Sequence, residues 1–223
     1  MTILEAIKKR HSVRSYISRK IPENVQQELS ALIDECNKES GLHMQLVTND
    51  ADAFRTLLAH YGKFRNVQNY IALIGPKGTD LDEKAGYYGE KLVLKAQMLG
   101  LNTCWVALTF GKGAVRKKCT IQNGEKLVCI IAFGYGETQG EFHKAKKIKK
   151  ICRNETEMPK WYKTGLECAL LAPTAMNQQK FEFTRDGNAV SVRTTGGFYS
   201  NIDLGIVKYH FEVGAGMENF QWK

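Results

Sequence analysis

No apolar run in the chain exceeds seven residues. The longest is Leu127–Phe133, and the strand-like YIALIG at 70–75 is closed by Pro76 and Gly78. Such runs fall far short of the ~20 residues that cross a bilayer. Short apolar runs between turn residues are instead the signature of strands buried on both faces. At roughly 150 residues per domain, 223 residues predict one large domain or two merged ones. Hydrophobic residues make up 43% and charged ones 25%, the ordinary globular range. MTILEAIKKRH reads as an amphipathic helix start without the apolar stretch and cleavage site of a signal peptide, so a soluble, cytoplasmic protein is expected.

Thr2-x-x-Glu5 is a capping box that opens a short helix. Pro22 begins a second helix, with Val25, Leu29, Leu32, Ile33 and Cys36 at helical spacing and Gly41 at its end. Strands are predicted at 42–47, 70–75, 103–110 and 127–133, and short helices at 51–60 and 115–119. The segment 81–99 is apolar over most of its circumference, which predicts a central helix. After residue 156 the pattern restarts with a helix at 160–171, strands at 180–183 and 189–193 turning at Asp186-Gly187, and an apolar helix at 202–215. Residues 29–47 and 164–183 share a helix, loop and strand order, and 88–100 and 203–216 are both long apolar helices ending in Gly. This is a weak internal repeat with a shortened second copy.

The net charge of +9 suits nucleic acid, an anionic membrane surface or an anionic small ligand. Its densest block is Lys144, Lys146, Lys147, Lys149, Lys150 and Arg153, which reads equally as a solvated basic loop. The six cysteines form no C-x-x-C pair and have no His at ligand spacing, so neither zinc nor another metal is expected. GYGETQG has the spacing G-x-G-x-x-x-G and opens no helix, so a strand-exit turn is expected rather than a dinucleotide fingerprint.

Two polar segments remain. In RHSVRSY (10–16), an extended chain would project Arg10, Ser12 and Arg14 to one side. Two guanidiniums and a hydroxyl grip a phosphate or a carbonyl edge. The same residues also fit a solvated helix C-terminus. In APTAMNQQ (172–179), Pro173 stops a helix, and Thr174, Asn177, Gln178 and Gln179 follow. The Asn amide offers a donor and an acceptor to a heterocycle, or simply serves a polar turn.

RHSVRSY, GLNTCWV after a long helix, a strand ending in GYG, and APTAMNQQ together resemble the nitroreductase family of FMN-dependent oxidoreductases. The resemblance covers roughly residues 3–150 and 159–216. It implies an α+β fold, a nitroreductase-like α/β sandwich with a central mixed sheet flanked by helices. The family's A-P-S-x-x-N-x-Q normally follows the second helix, where this chain has ECNKESG. Its counterpart stands in the second half instead, as in the branch where the dimer is fused into one polypeptide.

That reading implies an internal pseudo-dimer in one chain. Residues 1–155 would form the FMN-binding half and 156–223 a shorter half completing the site, merged into one structural unit. The resemblance further implies one FMN, gripped by Arg10, His11, Ser12 and Arg14 and covered by Pro173, Thr174, Ala175 and Asn177. Lys147 and Lys149 would hold its phosphate, and the backbone around Ala107 and Leu108 would face the flavin N5. The Tyr61-Gly62-Lys63 turn would reach the pyrimidine edge.

The implied activity is ping-pong hydride transfer from NAD(P)H to a nitroaromatic, a quinone or a similar small oxidised acceptor, with no catalytic side chain required. No nucleic-acid or membrane partner is expected, and the chain would be a monomeric pseudo-dimer or a weak homodimer. The alternatives are a basic polyanion- or nucleic-acid-binding module and a flavin-binding protein without turnover.

Overall fold

The computed structural model describes residues 1–152 and 157–223. The fold is mixed α and β, with seven α-helices and two sheets among those residues. The chain divides into two compact units. A sheet unit holds Arg10–Leu81 and Leu92–Phe142, and a helical unit holds Met1–Lys9, Asp82–Lys91 and His143–Lys223.

The sheet unit is built on β1 (Gln45–Val47), β2 (Tyr70–Pro76), β3 (Asn102–Val106) and β4 (Glu125–Gly134) in the order β1-β2-β4-β3, all paired antiparallel. Tyr70 to Ile74 of β2 and Val128 to Phe133 of β4 are buried. Burial on both faces is why these strands read as continuous apolar runs rather than alternating ones. Val13, Tyr16, Phe64, Val67, Phe110 and Val115 join Tyr70, Ala72, Ile130 and Ala132 in one cluster. Leu29, Ile33 and Cys36 of α2 (Glu23–Ser40) are buried too, and α2 ends at Gly41 with φ 73°.

Three expected elements are shorter than the sequence suggests, and the first, the strand at 42–47, is only Gln45–Val47. The helix at 51–60 is a 3-10 turn, Asp52–Phe54, and a separate α3, Leu57–Tyr61, whose Thr56 hydroxyl accepts from the Ala59 N–H. The capping threonine starts a new helix instead of continuing the old one. The strand expected at 103–110 stops at Val106, and α5 follows at Lys112–Lys118.

The helical unit contains α1 (Ile3–Lys9), the first half of α4 (Leu81–Met98), α6 (Lys160–Ala169) and α7 (Ser200–Ala215), with a small sheet of β5 (Phe181–Asp186), β6 (Ala189–Thr194) and β7 (Gln221–Trp222). β5 and β6 form the expected hairpin at Gly187, and β7 joins β6 in parallel. Phe211 is the centre of an aromatic cluster, with ring centroids 4.8 Å from Phe183, 5.1 Å from Phe220 and 5.5 Å from Trp222. His210, fully buried, donates from Nδ1 to the Cys168 carbonyl and has Nε2 2.8 Å from Glu90 Oε1.

Glycine sets the approach of α4 to α7. A Cβ on Gly86 would lie 2.0 Å from the Ile202 carbonyl oxygen, and one on Gly205 would lie 2.0 Å from that of Glu83. Backbone meets backbone at this crossing. Gly205→Ala is therefore expected to destabilise the protein by ~3 kcal/mol or more, since neither backbone can yield. Gly113→Ala on α5, where a Cβ meets nothing within 4 Å, is expected to be neutral or slightly stabilising. Urea denaturation of both variants checks the contrast.

Candidate flavin site

In the sheet unit the motif RHSVRSY runs as an extended strap. The Val13 N–H donates to the Thr103 carbonyl of β3, the Arg65 N–H to the Arg14 carbonyl, and the Ile17 N–H to the Tyr135 carbonyl. Val13 and Tyr16 point into the core, and Ser12 and Arg14 are exposed. Arg10, by contrast, is only 3% exposed. Arg10 is thus enclosed where Ser12 and Arg14 are exposed; it directly follows α1 and precedes the first bridge, Ser12 with Thr103. All three residues nevertheless act on one group. Burial pushes the Cys104 thiol up, while Arg14, Arg10 and a hydrogen bond from Ser12 pull it down.

The rest of GYGETQG closes over this strap. Gly136 N–H donates to Asn102 Oδ1, and Asn102 Nδ2 donates to Gln139. Gly140, at φ 78°, leaves no room for a Cβ beside that of His11, whose ring meets Phe142 edge-on at 4.5 Å. Ala107 and Leu108 lie in the bend after β3, with Leu108 exposed. The next residue, Thr109, lies against Gly62, which brings the 107–109 bend up to the Tyr61-Gly62-Lys63 turn.

In the helical unit the basic block and APTAMNQQ come together. Lys146 donates from Nζ to the carbonyls of Gln178 and Gln179, and its N–H donates to Gln179 Oε1. Burial, then Lys180 and Lys150, lower its pKa. Lys147 and Lys149, which follow it, are exposed, as is Lys146 itself. Arg153 and the neighbouring Glu155 lie outside the described residues. Asn177 Nδ2 donates to the Lys144 carbonyl, and Asn177 Oδ1 accepts from Gln179 Nε2. The Asn177 amide thus serves the turn, with one N–H and one lone pair left over.

Thr174 Oγ1 accepts from the Gln179 N–H, and a 3-10 turn covers Ala175–Asn177 directly after Pro173 and Thr174. Met176, Asn177 and Gln179 all take positive φ, at 50°, 53° and 46°. Asp203 Oδ1 accepts from the Ala175 N–H and its Oδ2 from Gln178 Nε2.

Sequence reasoning missed Asn102, Lys146 and Asp203. Asn102 stood inside a quoted motif without a role, Lys146 was one lysine among five, and Asp203 looked like an ordinary acid in a helix's first turn. All six cysteines are buried thiols. Among the described residues, no cluster of three or more His, Cys, Asp or Glu is arranged to hold a metal ion, and no helix is long and apolar enough to cross a membrane.

Several solved structures share this fold. A nitroreductase from Thermotoga maritima aligns over 96% of this chain and 83% of its own at 24% identity, with a TM-score of 0.68. A nitroreductase from Desulfovibrio desulfuricans, solved in complex with FMN, aligns over 71% of this chain and 99% of its own at 17% identity and a TM-score of 0.52. An FMN-dependent nitroreductase from Clostridium difficile aligns over 63% and 91% at 17% identity, with the same TM-score of 0.52. No curated protein matches the sequence. The family model described as "Putative TM nitroreductase" matches residues 2–215, nearly the whole chain, and the chain belongs to that nitroreductase family.

Proposed function

We propose that the protein is an FMN-dependent NAD(P)H oxidoreductase of nitroreductase type that reduces a nitroaromatic, a quinone or a similar small oxidised molecule. The observation that carries this reading is the strap of residues 10–16, bonded to β3 through Val13 and Thr103, which leaves Ser12 and Arg14 exposed at the sheet edge. The strap presents a guanidinium and a hydroxyl there. Membership of a nitroreductase family supports the reading, as do an FMN-dependent relative and an FMN complex among proteins of this fold.

The residues present suit FMN, which brings a phosphate dianion, a carbonyl-rich pyrimidine edge and a flat apolar ring system. Lys147 and Lys149, exposed just after Lys146, are assigned to the phosphate. Arg14, with Arg10, His11 and Ser12, is assigned to the pyrimidine side, where a fixed positive charge stabilises developing negative charge. The bend at Ala107 and Leu108 is assigned to the ring's N5 side, and Pro173, Thr174, Ala175 and Asn177 to covering the ring. When bound, FMN supplies the hydride-accepting and electron-passing chemistry. The side chains bind and orient, so turnover needs no general acid among them.

The purified protein is expected to be yellow, to bleach anaerobically with NADH or NADPH, and to recover its colour with a nitroaromatic or quinone. Initial rates should give parallel double-reciprocal lines, because both substrates use one site in turn. A chain that cannot be reconstituted with FMN would sink this reading in favour of polyanion binding. Bleaching without reoxidation by any acceptor would leave a flavin-binding protein without turnover.

Arg14→Ala is expected to weaken FMN binding by ~1.5–3 kcal/mol, the worth of one charge-assisted hydrogen bond. Lys147→Ala with Lys149→Ala should raise the FMN dissociation constant and flatten its dependence on salt, since exposed charges on a phosphate are screened. Fluorescence titration at two ionic strengths reads both effects. Unchanged affinity in both variants would refute these assignments.

RHSVRSY and APTAMNQQ each occur once, so one FMN per chain is expected, in keeping with a fused internal pseudo-dimer. This is best counted on the full chain. Cleavage near residue 155 would strip α7 from the Gly86 and Glu90 face of α4 and confound loss of flavin with loss of fold. Two flavins per chain in an absorbance-to-protein ratio would overturn the count.

A further inference from the structure

We propose that Asp203 is a positioning residue for the flavin, holding the APTAMNQQ turn in the shape the site requires. The assignment rests on the FMN reading above. Its two carboxylate oxygens accept from the Ala175 N–H at 2.9 Å and from Gln178 Nε2 at 2.7 Å, so they bracket Met176 and Asn177. Those two residues are left-handed, a conformation that costs a non-glycine residue about 1–2 kcal/mol and persists only where the surroundings impose it.

Burial does not impose it, because Met176 is 94% exposed. The hydrogen bonds on either side do. Gln178 is pinned in turn by donating to the Phe198 carbonyl. Asp203 is itself held, since its N–H donates to the Tyr199 carbonyl and Gly205, two residues on, lies against the α4 backbone.

The carboxylate is kept at a cost to stability. Burial raises Asp203 to about 6, and its two hydrogen bonds only partly offset this. Of the titratable groups on the neighbouring segments, Glu83 is engaged by Lys208 and Tyr87 by Glu212, and Tyr199 and Lys180 flank the turn. None of them is a cause of the shift. With the folded value above the ordinary 3.8, the penalty is absent at lower pH, grows as pH rises through 3.8 to 6, and is complete above. An isosteric amide would escape it. It is the exposed left-handed turn bracketed by this carboxylate that points to a role in the site.

The test is Asp203→Asn in the full chain. At pH 7.5 its FMN dissociation constant is expected to rise about tenfold, one charge-assisted hydrogen bond's worth. Without flavin, its melting temperature at pH 7.5 should equal or exceed the parent's, and the parent's loss of stability between pH 4 and 7 should be blunted. Amide exchange at 175–178 should speed up in the flavin-free variant. Gln178→Met, which removes the other half of the contact, should lose affinity similarly, while its loss of stability with rising pH persists and widens, because a hydrogen bond that lowers the carboxyl's pKa is gone.

A variant that loses affinity and melting temperature together would reduce Asp203 to a structural residue and overturn the assignment. So would parental affinity or parental exchange in Asp203→Asn while the parent binds FMN. A parent chain that takes up no FMN would overturn the cofactor reading, and this assignment with it.

Discussion

At the crossing of α4 and α7 no side chain separates the helices. Gly86 faces the Ile202 carbonyl and Gly205 faces that of Glu83, each with space for a hydrogen but not for a carbon. Such a contact has a steep repulsive wall on both sides, so it fixes the height and rotation of the first turn of α7. The helical unit's polar architecture follows from there. Asp203 lies within the crossing, between Ile202 and Gly205, its carboxylate takes hold of Ala175 and Gln178, and Gln179 and Asn177 in turn hold the chain at Lys144 and Lys146. The buried Glu90–His210 contact repeats the connection between α4 and α7 further along, with the ring also tied to the Cys168 carbonyl.

This order of dependence explains why the basic block is not a uniform patch. Lys146 gives its ammonium to two backbone carbonyls, which ties the lysine segment to the turn and lowers its pKa by burial. Lys146, Lys147 and Lys149 all lie at the surface, and it is the two hydrogen bonds of Lys146 that set it apart. The turn pays in strain, with Met176, Asn177 and Gln179 all left-handed, and hydrogen bonds through Thr174, Asn177 and Gln179 offset it. Strain concentrated where polar groups converge is the usual mark of a site rather than of a connector.

The sheet unit solves a different problem. Its strap must keep charged side chains at a sheet edge while burying Val13 and Tyr16 in the core. Backbone bonds to Thr103, Arg65 and Tyr135 do this, and the Tyr16 hydroxyl finds the Val13 carbonyl at 2.7 Å. Arg10 is drawn inward by its place at the end of α1, so Arg14 and Ser12 are the members of the motif that face out.

Local signals were legible where one residue's chemistry settles the backbone. The Thr2–Glu5 capping box forms reciprocally, at 2.8 and 3.2 Å, Gly41 takes its left-handed cap, and Asp186-Gly187 turns a hairpin. The continuous apolar runs are the doubly buried strands β2 and β4. The four motifs that resemble nitroreductases stand in a chain of that family and fold. What only tertiary structure decided depends on partners distant in the chain. β3 ends at Val106 although β-forming residues continue, and the helix expected at 51–60 breaks at Thr56. Gly86 and Gly205, weak points in a helix by propensity alone, are where two backbones touch. Asp203, a routine first-turn acid by sequence, meets residues 25 and 28 positions earlier. Periodicity and caps act within a few residues, so the sequence carries them openly; close approach and buried hydrogen bonds exist only once remote segments meet.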